Sequence, residues 1–362
     1  MIKIGGKQKV CILSTTNLQH MTLISLYTKI FEDEKVDYDI IYFDRYGIKE
    51  DSSAKNLYVY TSAYNRSGSK LKKLKEYIKY RNYALRILKN NDYDLIIVWN
   101  TMTAFLFSNY LLKKPKKYIL NIRDYFLEKN LFVYKIHEKL IKNSYTTTIS
   151  SKGFLNFLPK SEYLYTHSFN PNLLNEENEK SLPTSKGDKI VIGFLGNNRF
   201  FDQGKNLMDA LKNDKRFEMW FCGTNSDVLE KYAEENNIKN CKFMGRFNPE
   251  DTSKILMEFD IINNLFGNDS EAVKTLTSIR LYYGVFYKKT ILVNKSTYME
   301  KIVQENNLGI SIDWSDQNLA DEIYNQYNNL DREDFETKCN SFLKQIKREN
   351  ELFDESIHKL IK

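Results

Sequence analysis

The chain has 362 residues, 42% of them hydrophobic, and a formal net charge of +7. That length accommodates two domains of ordinary size, each with its own core, and the modest, dispersed charge does not by itself point to nucleic acid. There is no run of about 18 apolar residues to suggest a membrane span, and residues 1–10 lack the apolar stretch of a secretion signal. Cys11, Cys222, Cys241 and Cys339 show no metal-ligand spacing and read as reduced thiols of a cytoplasmic protein.

Residues 8–14 form a buried strand in this reading. A polar loop with Thr15, Thr16 and His20 follows, then an amphipathic helix to about Phe31. Residues 38–44 are the next strand, and a single joining helix makes the two strands parallel. No Gly-x-Gly-x-x-Gly occupies the first turn, which argues against a nicotinamide or flavin site.

Residues 69–90 read as a helix with Leu71, Leu74, Ile78, Leu85 and Leu88 at helical spacing. Its other positions carry Lys70, Lys72, Lys73, Lys75, Lys79, Arg81, Arg86 and Lys89 against one acid, Glu76. Two readings stand side by side: a solvated helix docked on the sheet by its leucines, or a contact with anionic lipid headgroups worth about 1 kcal/mol per basic residue. Residues 94–100 are a third buried strand, followed by a helix over 103–112. A fourth strand, 116–124, ends at Arg123 and Asp124. Carboxyl ends of parallel strands are where open α/β sheets hold ligands, so Asp124 is either a site residue or a helix cap. His167 reads as structural.

Residues 175–188 lose nearly every apolar side chain and read as a linker. A new strand, 189–196, runs to Gly196, with Arg199 and Lys205 just beyond; two cations beside a glycine turn suit a diphosphate, while Lys205 also reads as a surface lysine at a helix start. Strand 217–224 ends at Gly223 and Thr224, strand 241–247 carries Arg246 and Phe247, and a helix covers 249–259. Strand 260–265 then enters Gly267 and a polar loop, before a helix with Ser278, Arg280 and Tyr283 and a strand at 290–293. Such a helix start offers unpaired N–H groups and about half a positive charge to a phosphate. A helix and short strand up to residue 312 and charged helices at 319–327 and 335–362 close the chain.

The stretch from Ser278 to Val293, Ser-Ile-Arg-Leu-Tyr-Tyr-Gly-Val-Phe-Tyr-Lys-Lys-Thr-Ile-Leu-Val, resembles the passage that bacterial GT-B glycosyltransferases write as Pro-Asn-Lys-Leu-Tyr-Glu-Tyr-Leu-Ala-x-Gly-Lys-Pro-Val-Ile. Arg280 falls on its basic position and Tyr283 on the glutamate that usually holds the ribose hydroxyls. Arg123 to Glu128 resembles the Arg-Asp-x-Trp-Pro-Glu turn of family 4-like members, and residues 145–154, 163–172, 189–205 and 241–247 resemble further strands and turns of the same family.

The resemblance implies an α/β GT-B fold: two Rossmann-like domains facing across a cleft, with a C-terminal helix crossing back to the first. Residues 1–174 would bind acceptor, 175–188 link, 189–345 bind the nucleotide sugar, and 346–362 form the returning helix. It also implies a glycosyltransferase of capsule, exopolysaccharide or O-antigen assembly, using a nucleotide diphosphate sugar, a UDP-sugar first among donors, and a glycan or polyprenyl-linked acceptor at the inner face of the cell membrane. Gly196, Arg199, Lys205, Gly223, Thr224, Arg246, Phe247, Ser278, Arg280 and Tyr283 would line the donor, and Asp124, His20 and Glu271 would serve catalysis. Thr16 would join His20 and Asp124 on the acceptor side, and domain closure would exclude water.

No metal is called for, since side-chain cations can replace one. Family 4-like members retain configuration; Glu271 matches the first acid of their Glu-x7-Glu pattern, whereas Ile279 stands at the second. An inverting enzyme would instead use Asp124 or His20 as base. The departures at Ile279 and Tyr283 keep open a non-catalytic nucleotide-sugar or glycan-binding protein of this fold. Nucleic-acid binding through residues 70–89 would need a salt-dependent shift, and that helix has no Trp or Phe stacking platform.

Overall fold

The computed structural model describes residues 8–21, 23–62, 69–168 and 188–361. Nearly all of the linker expected at 175–188, and the turn at 170–172, lie outside them. The chain divides into two compact units, one comprising Met1–His167 with Arg348–Lys362, the other Ser168–Lys347.

In the first unit, β1 (Val10–Ser14), β2 (Tyr38–Asp44), β3 (Asn56–Thr61), β4 (Leu95–Trp99), β5 (Tyr118–Ile122), β6 (Thr146–Ile149) and β7 (Leu164–Tyr165) form one parallel sheet in the order β3-β2-β1-β4-β5-β6-β7. Its central strands are apolar on both faces because helices cover both. One face packs α2 (Lys70–Asn91), α3 (Thr101–Leu106), α4 (Ser108–Leu111) and α5 (Leu131–Asn143); the other packs α1 (Ser25–Asp33) and the last turns of the C-terminal helix. The helix expected at 103–112 is broken at Phe107 into α3 and α4. The edge strand β3 was not anticipated and is half-exposed.

Helix α2 docks on the sheet through Leu85 and Leu88, as expected, but not through the first three apolar residues of its stripe. Leu71, Leu74 and Ile78 are 79%, 56% and 47% exposed, while Tyr80, Ala84 and Leu88, four residues apart, are buried. Tyrosines seat the helix: Phe43 stacks on Tyr80 and meets Tyr77 edge-on, and the Tyr80 hydroxyl donates to the Ser14 carbonyl. A leucine stripe and a tyrosine stripe compete for the sheet, and the wider aromatic contact prevails.

The second unit repeats the plan with β8 (Ile190–Leu195), β9 (Phe217–Cys222), β10 (Cys241–Met244), β11 (Ile261–Asn263), β12 (Thr290–Asn294) and β13 (Gly309–Ile312), all parallel, in the order β10-β9-β8-β11-β12-β13. Helices α6 (Phe201–Ala210), α7 (Ser226–Glu235) and α12 (Leu319–Asn328) pack on one face. On the other lie α8 (Thr252–Met257), α10 (Ile279–Phe286), α11 (Tyr298–Glu305) and the first half of α13 (Arg332–Ile361), with a short α9 (Glu271–Thr275) before α10. The four cysteines are free thiols, and among the described residues no helix is long and apolar enough to cross a membrane.

The distal part of α13 belongs to the first unit: Phe353, Ile357, Leu360 and Ile361 enter its core, and Phe353 meets Tyr27 edge-on at 5.1 Å. Glu349 binds the His167 Nε2 at 2.5 Å and the Lys152 Nζ at 2.9 Å, and the Asn350 side chain accepts from the His167 N–H. Phe353 is fully buried, so Phe353→Ala is expected to cost about 3–4 kcal/mol in chemical denaturation. A loss below about 1 kcal/mol would show that this segment does not stabilise the unit.

Candidate functional site

In the second sheet the chain reverses its direction of winding between β8 and β11, and the loops leaving those strands diverge there. Such a switch point is the natural ligand crevice of an open parallel sheet. After β8 the chain turns at Gly196 (φ 129°) and after β9 at Gly223 (φ 124°). A Cβ on Gly223 would fall 1.8 Å from the Gly196 carbonyl oxygen, so the two turns can lie back to back only without a side chain there. Asn198 secures them by donating from its backbone N and from Nδ2 to the Thr224 carbonyl, at 3.0 and 3.1 Å.

Arg280 stands at this point. Ser278 caps α10, its Oγ accepting from the Arg280 N–H at 3.1 Å, and so starts the helix with the arginine in its first turn. The guanidinium lies against the rings of Phe194, at 4.0 Å from its centroid, and Phe266, at 4.6 Å. Its Nη1 donates to the Leu195 carbonyl at 3.1 Å, at the end of β8. Nε and Nη2 are buried with no hydrogen-bond partner among the described residues. Burial, reinforced by the charge of Arg199, lowers its pKa to about 9, which leaves it a cation at neutral pH.

Buried donors without partners and a buried charge without a counter-ion are both costly, and native proteins keep them where a ligand completes the set. Arg199 is exposed and lies over Phe200 at 4.9 Å, and Phe200 meets Phe266 edge-on at 4.9 Å. Two arginines and three phenylalanines thus make one cationic, aromatic-walled cluster. An anion is the ligand such a cluster suits.

The other expected donor residues are distributed around it. Lys205, on α6, turns to α7, with its ammonium 5.0 Å from the Tyr232 ring, so it is not drawn to the arginine pair. Tyr283 is half-buried one turn along α10 from Arg280; burial raises its phenol, and the Arg280 charge pulls the other way. Arg246 is exposed beyond β10, and Phe247 packs against the core cluster to which α10 contributes. Glu271 opens α9, and its carbonyl accepts from the Thr275 hydroxyl at 2.5 Å.

Residues not anticipated brace the loop after β11. The Asn294 Oδ1 accepts from the Phe266 and Gly267 N–H groups at 2.9 and 2.8 Å. Its Nδ2 donates to the Gln203 Oε1, which the Trp314 Nε1 also reaches, both at 2.9 Å. These contacts hold Phe266 where it walls Arg280. Asn294 ends a strand at the ligand side of the sheet, and that position was the available signal.

In the first unit the corresponding reversal lies between β1 and β4. Thr15 binds Thr103 through both its N–H and its hydroxyl, at 3.0 and 2.9 Å, and Thr103 in turn binds Asn100. Thr16 accepts the Ser14 hydroxyl on its carbonyl at 3.1 Å. Deeper in the same loop, Asn17 is buried against Asp44 and Glu50. His20 is exposed and tilted on Tyr46 with centroids 5.2 Å apart.

Asp124 is exposed past the end of β5, its carbonyl facing the Thr101 hydroxyl at 3.4 Å. Beneath it Glu128 is buried, accepting from the Phe126 N–H at 2.7 Å, with His137 Nδ1 3.5 Å away. Burial raises the Glu128 carboxyl and lowers His137 to about 4, so His137 is neutral at physiological pH.

No protein-family model and no curated protein sequence matches the chain. Among solved structures it is similar to sucrose-phosphate synthase from Thermosynechococcus elongatus, with a TM-score of 0.67 at 10% identity over 98% of this chain and 95% of that one. The Anabaena protein Alr3699/HepE in complex with UDP gives 0.65 at 12% identity over 97% and 100% of the two chains. WaaG, a glycosyltransferase involved in lipopolysaccharide biosynthesis, gives 0.64 at 12% identity over 96% and 99%. At these identities the likeness speaks to architecture: the chain has the GT-B fold, built of two Rossmann-like α/β units.

Proposed function

We propose that this protein is a glycosyltransferase that moves a sugar from a nucleotide diphosphate sugar to a glycan acceptor. The observation that carries the reading is Arg280, a buried guanidinium with two unused nitrogens beside a second arginine. A departing diphosphate supplies the missing negative charge, and its oxygens satisfy the open donors as the sugar bond breaks. Arg199 and Arg280 take the diphosphate in this scheme. Lys205 joins only by leaving Tyr232.

Ser278 adds a hydroxyl contact, and Gly196, Gly223 and Thr224 let backbone approach the donor. Arg246, Phe247 and Tyr283 border the nucleoside. A UDP-sugar is the favoured donor, in keeping with the HepE complex of the same fold. The reading requires no metal ion.

On the acceptor side, Asp124 and His20 are the candidate bases if configuration inverts. If it is retained, as we favour, the leaving phosphate deprotonates the acceptor hydroxyl and Glu271 supports the sugar. The acceptor we propose is a polyprenyl-linked glycan of bacterial surface polysaccharide, met by a cytoplasmic protein at the inner face of the membrane. A second reading, a binding protein without turnover, is favoured by Tyr283 and Ile279 standing where the related enzymes carry glutamates; it predicts nucleotide-sugar binding with no transfer to any acceptor.

UDP is expected to raise the melting temperature of the parent protein. Arg280→Met should bind it about 10- to 100-fold more weakly, the effect of losing charge-assisted hydrogen bonds, and Arg199→Ala should weaken binding less because that side chain is exposed. Ligand-free Arg280→Met should melt no lower than the parent, since it removes a buried charge that lacks a counter-ion. If it instead melts far below the parent and still binds UDP, the arginine is structural.

A pH titration gives an independent check. The folded, unliganded guanidinium sits near 9 and a bound anion raises it again, so UDP binding above that pH requires proton uptake. Affinity should be level through pH 7–8 and decline above about 9. Arg280→Met should show a smaller decline, limited to what ionisation of the uracil N3–H contributes.

A further inference from the structure

We propose that the first two turns of α2 dock on an anionic lipid bilayer, with Leu71, Leu74 and Ile78 entering the headgroup boundary and neighbouring lysines meeting acidic headgroups. At 3.6 residues per turn these three side chains fall within about 60° of one another, Lys70 flanks them on one side, and Lys75 and then Lys72 follow on the other. All six are exposed, and Leu71, at 79%, is nearly as open as a side chain can be. A soluble helix ordinarily turns such a stripe inward. Here the inward face is taken by Tyr80, Ala84 and Leu88 instead.

The charge of the patch selects the occupant. Glu76 is the one acid on the helix, and it is already engaged by the Lys79 ammonium at 2.7 Å and the Tyr60 hydroxyl at 3.0 Å. Apolar side chains bordered by unneutralised lysines match the boundary of an acidic bilayer, where the stripe enters the acyl edge and each lysine gains from the surface potential. A protein partner of ordinary surface would leave those charges desolvated or unpaired.

Position supports the same occupant. Arg45, just past the end of β2, donates to the Tyr77 hydroxyl at 3.3 Å, and Tyr60 near the end of β3 reaches Glu76. The patch therefore stands at the carboxyl ends of the first sheet, the end that also bears Thr16, His20 and Asp124. A lipid-carried acceptor would be presented to that end of the unit. This last link rests on the proposed function, whereas the docking itself does not.

The test is co-sedimentation of the full chain with phosphatidylcholine vesicles, with and without phosphatidylglycerol. The parent should bind only the acidic vesicles, and less as salt rises. Leu71→Ser/Leu74→Ser/Ile78→Ser should lower partitioning by at least about tenfold, and Lys70→Gln/Lys72→Gln/Lys75→Gln by about fivefold per charge. Both variants should keep the parent's circular dichroism and its response to UDP.

Failure of the parent to bind acidic vesicles, equal binding to both vesicle types, or unchanged binding by the variants overturns the proposal. So does parent self-association that the serine variant abolishes, because a second copy would then cover the stripe. Vesicle binding without any response to UDP would leave the docking intact and remove the donor-site reading.

Discussion

A charge held out of water without a partner is the constraint that gives the second unit its meaning. Arg280 is walled by Phe194 and Phe266, spends Nη1 on the end of β8, and keeps two nitrogens unused. Much else nearby exists to hold that arrangement: the Ser278 cap sets where α10 begins, Asn294 fixes the backbone of Phe266, and glycine at 223 lets a second turn approach the first. Structure of this kind stores an unfavourable interaction in the empty protein, which a ligand of opposite charge relieves.

The architecture was legible because parallel strands buried on both faces must be apolar nearly throughout. Strands such as residues 38–44, 95–99 and 290–294 announce themselves, and Gly196 and Gly223 mark the turns after β8 and β9. Strand β3 escaped because it lies at an edge: between its polar ends Asn56–Thr61 alternates aliphatic residues with tyrosines and has no buried run, although its β-branched and aromatic content was there to be read. The break at Phe107 has no glycine or proline to signal it. Helix α2 was misread in its facing for a different reason: leucine spacing marked a real stripe, but spacing does not say which of two stripes faces the sheet.

At the site, sequence spacing could nominate Arg199 and Arg280 but not their inequality. One is exposed and the other enclosed, a difference made by Phe194 of β8 and Phe266 of the loop after β11, which meet only in the fold. The same limit explains Lys205, whose place in the chain suggests a phosphate contact while its side chain lies on Tyr232. Asn294, Gln203 and Trp314 are far apart in sequence, and their network has no local signature. In the first unit, Glu128 and His137 form a buried pair beneath the Asp124 loop, assembled from a turn and a helix face.

The central claim is that Arg280 is completed by a diphosphate, and a crystal structure of the protein with UDP tests it most directly. The account predicts diphosphate oxygens at about 2.7–2.9 Å from the Arg280 Nε or Nη2, the length of a charge-assisted hydrogen bond, with Arg199 closing over the same group. UDP bound away from the β8–β11 switch point, or bound there with both nitrogens still unpartnered, would contradict it.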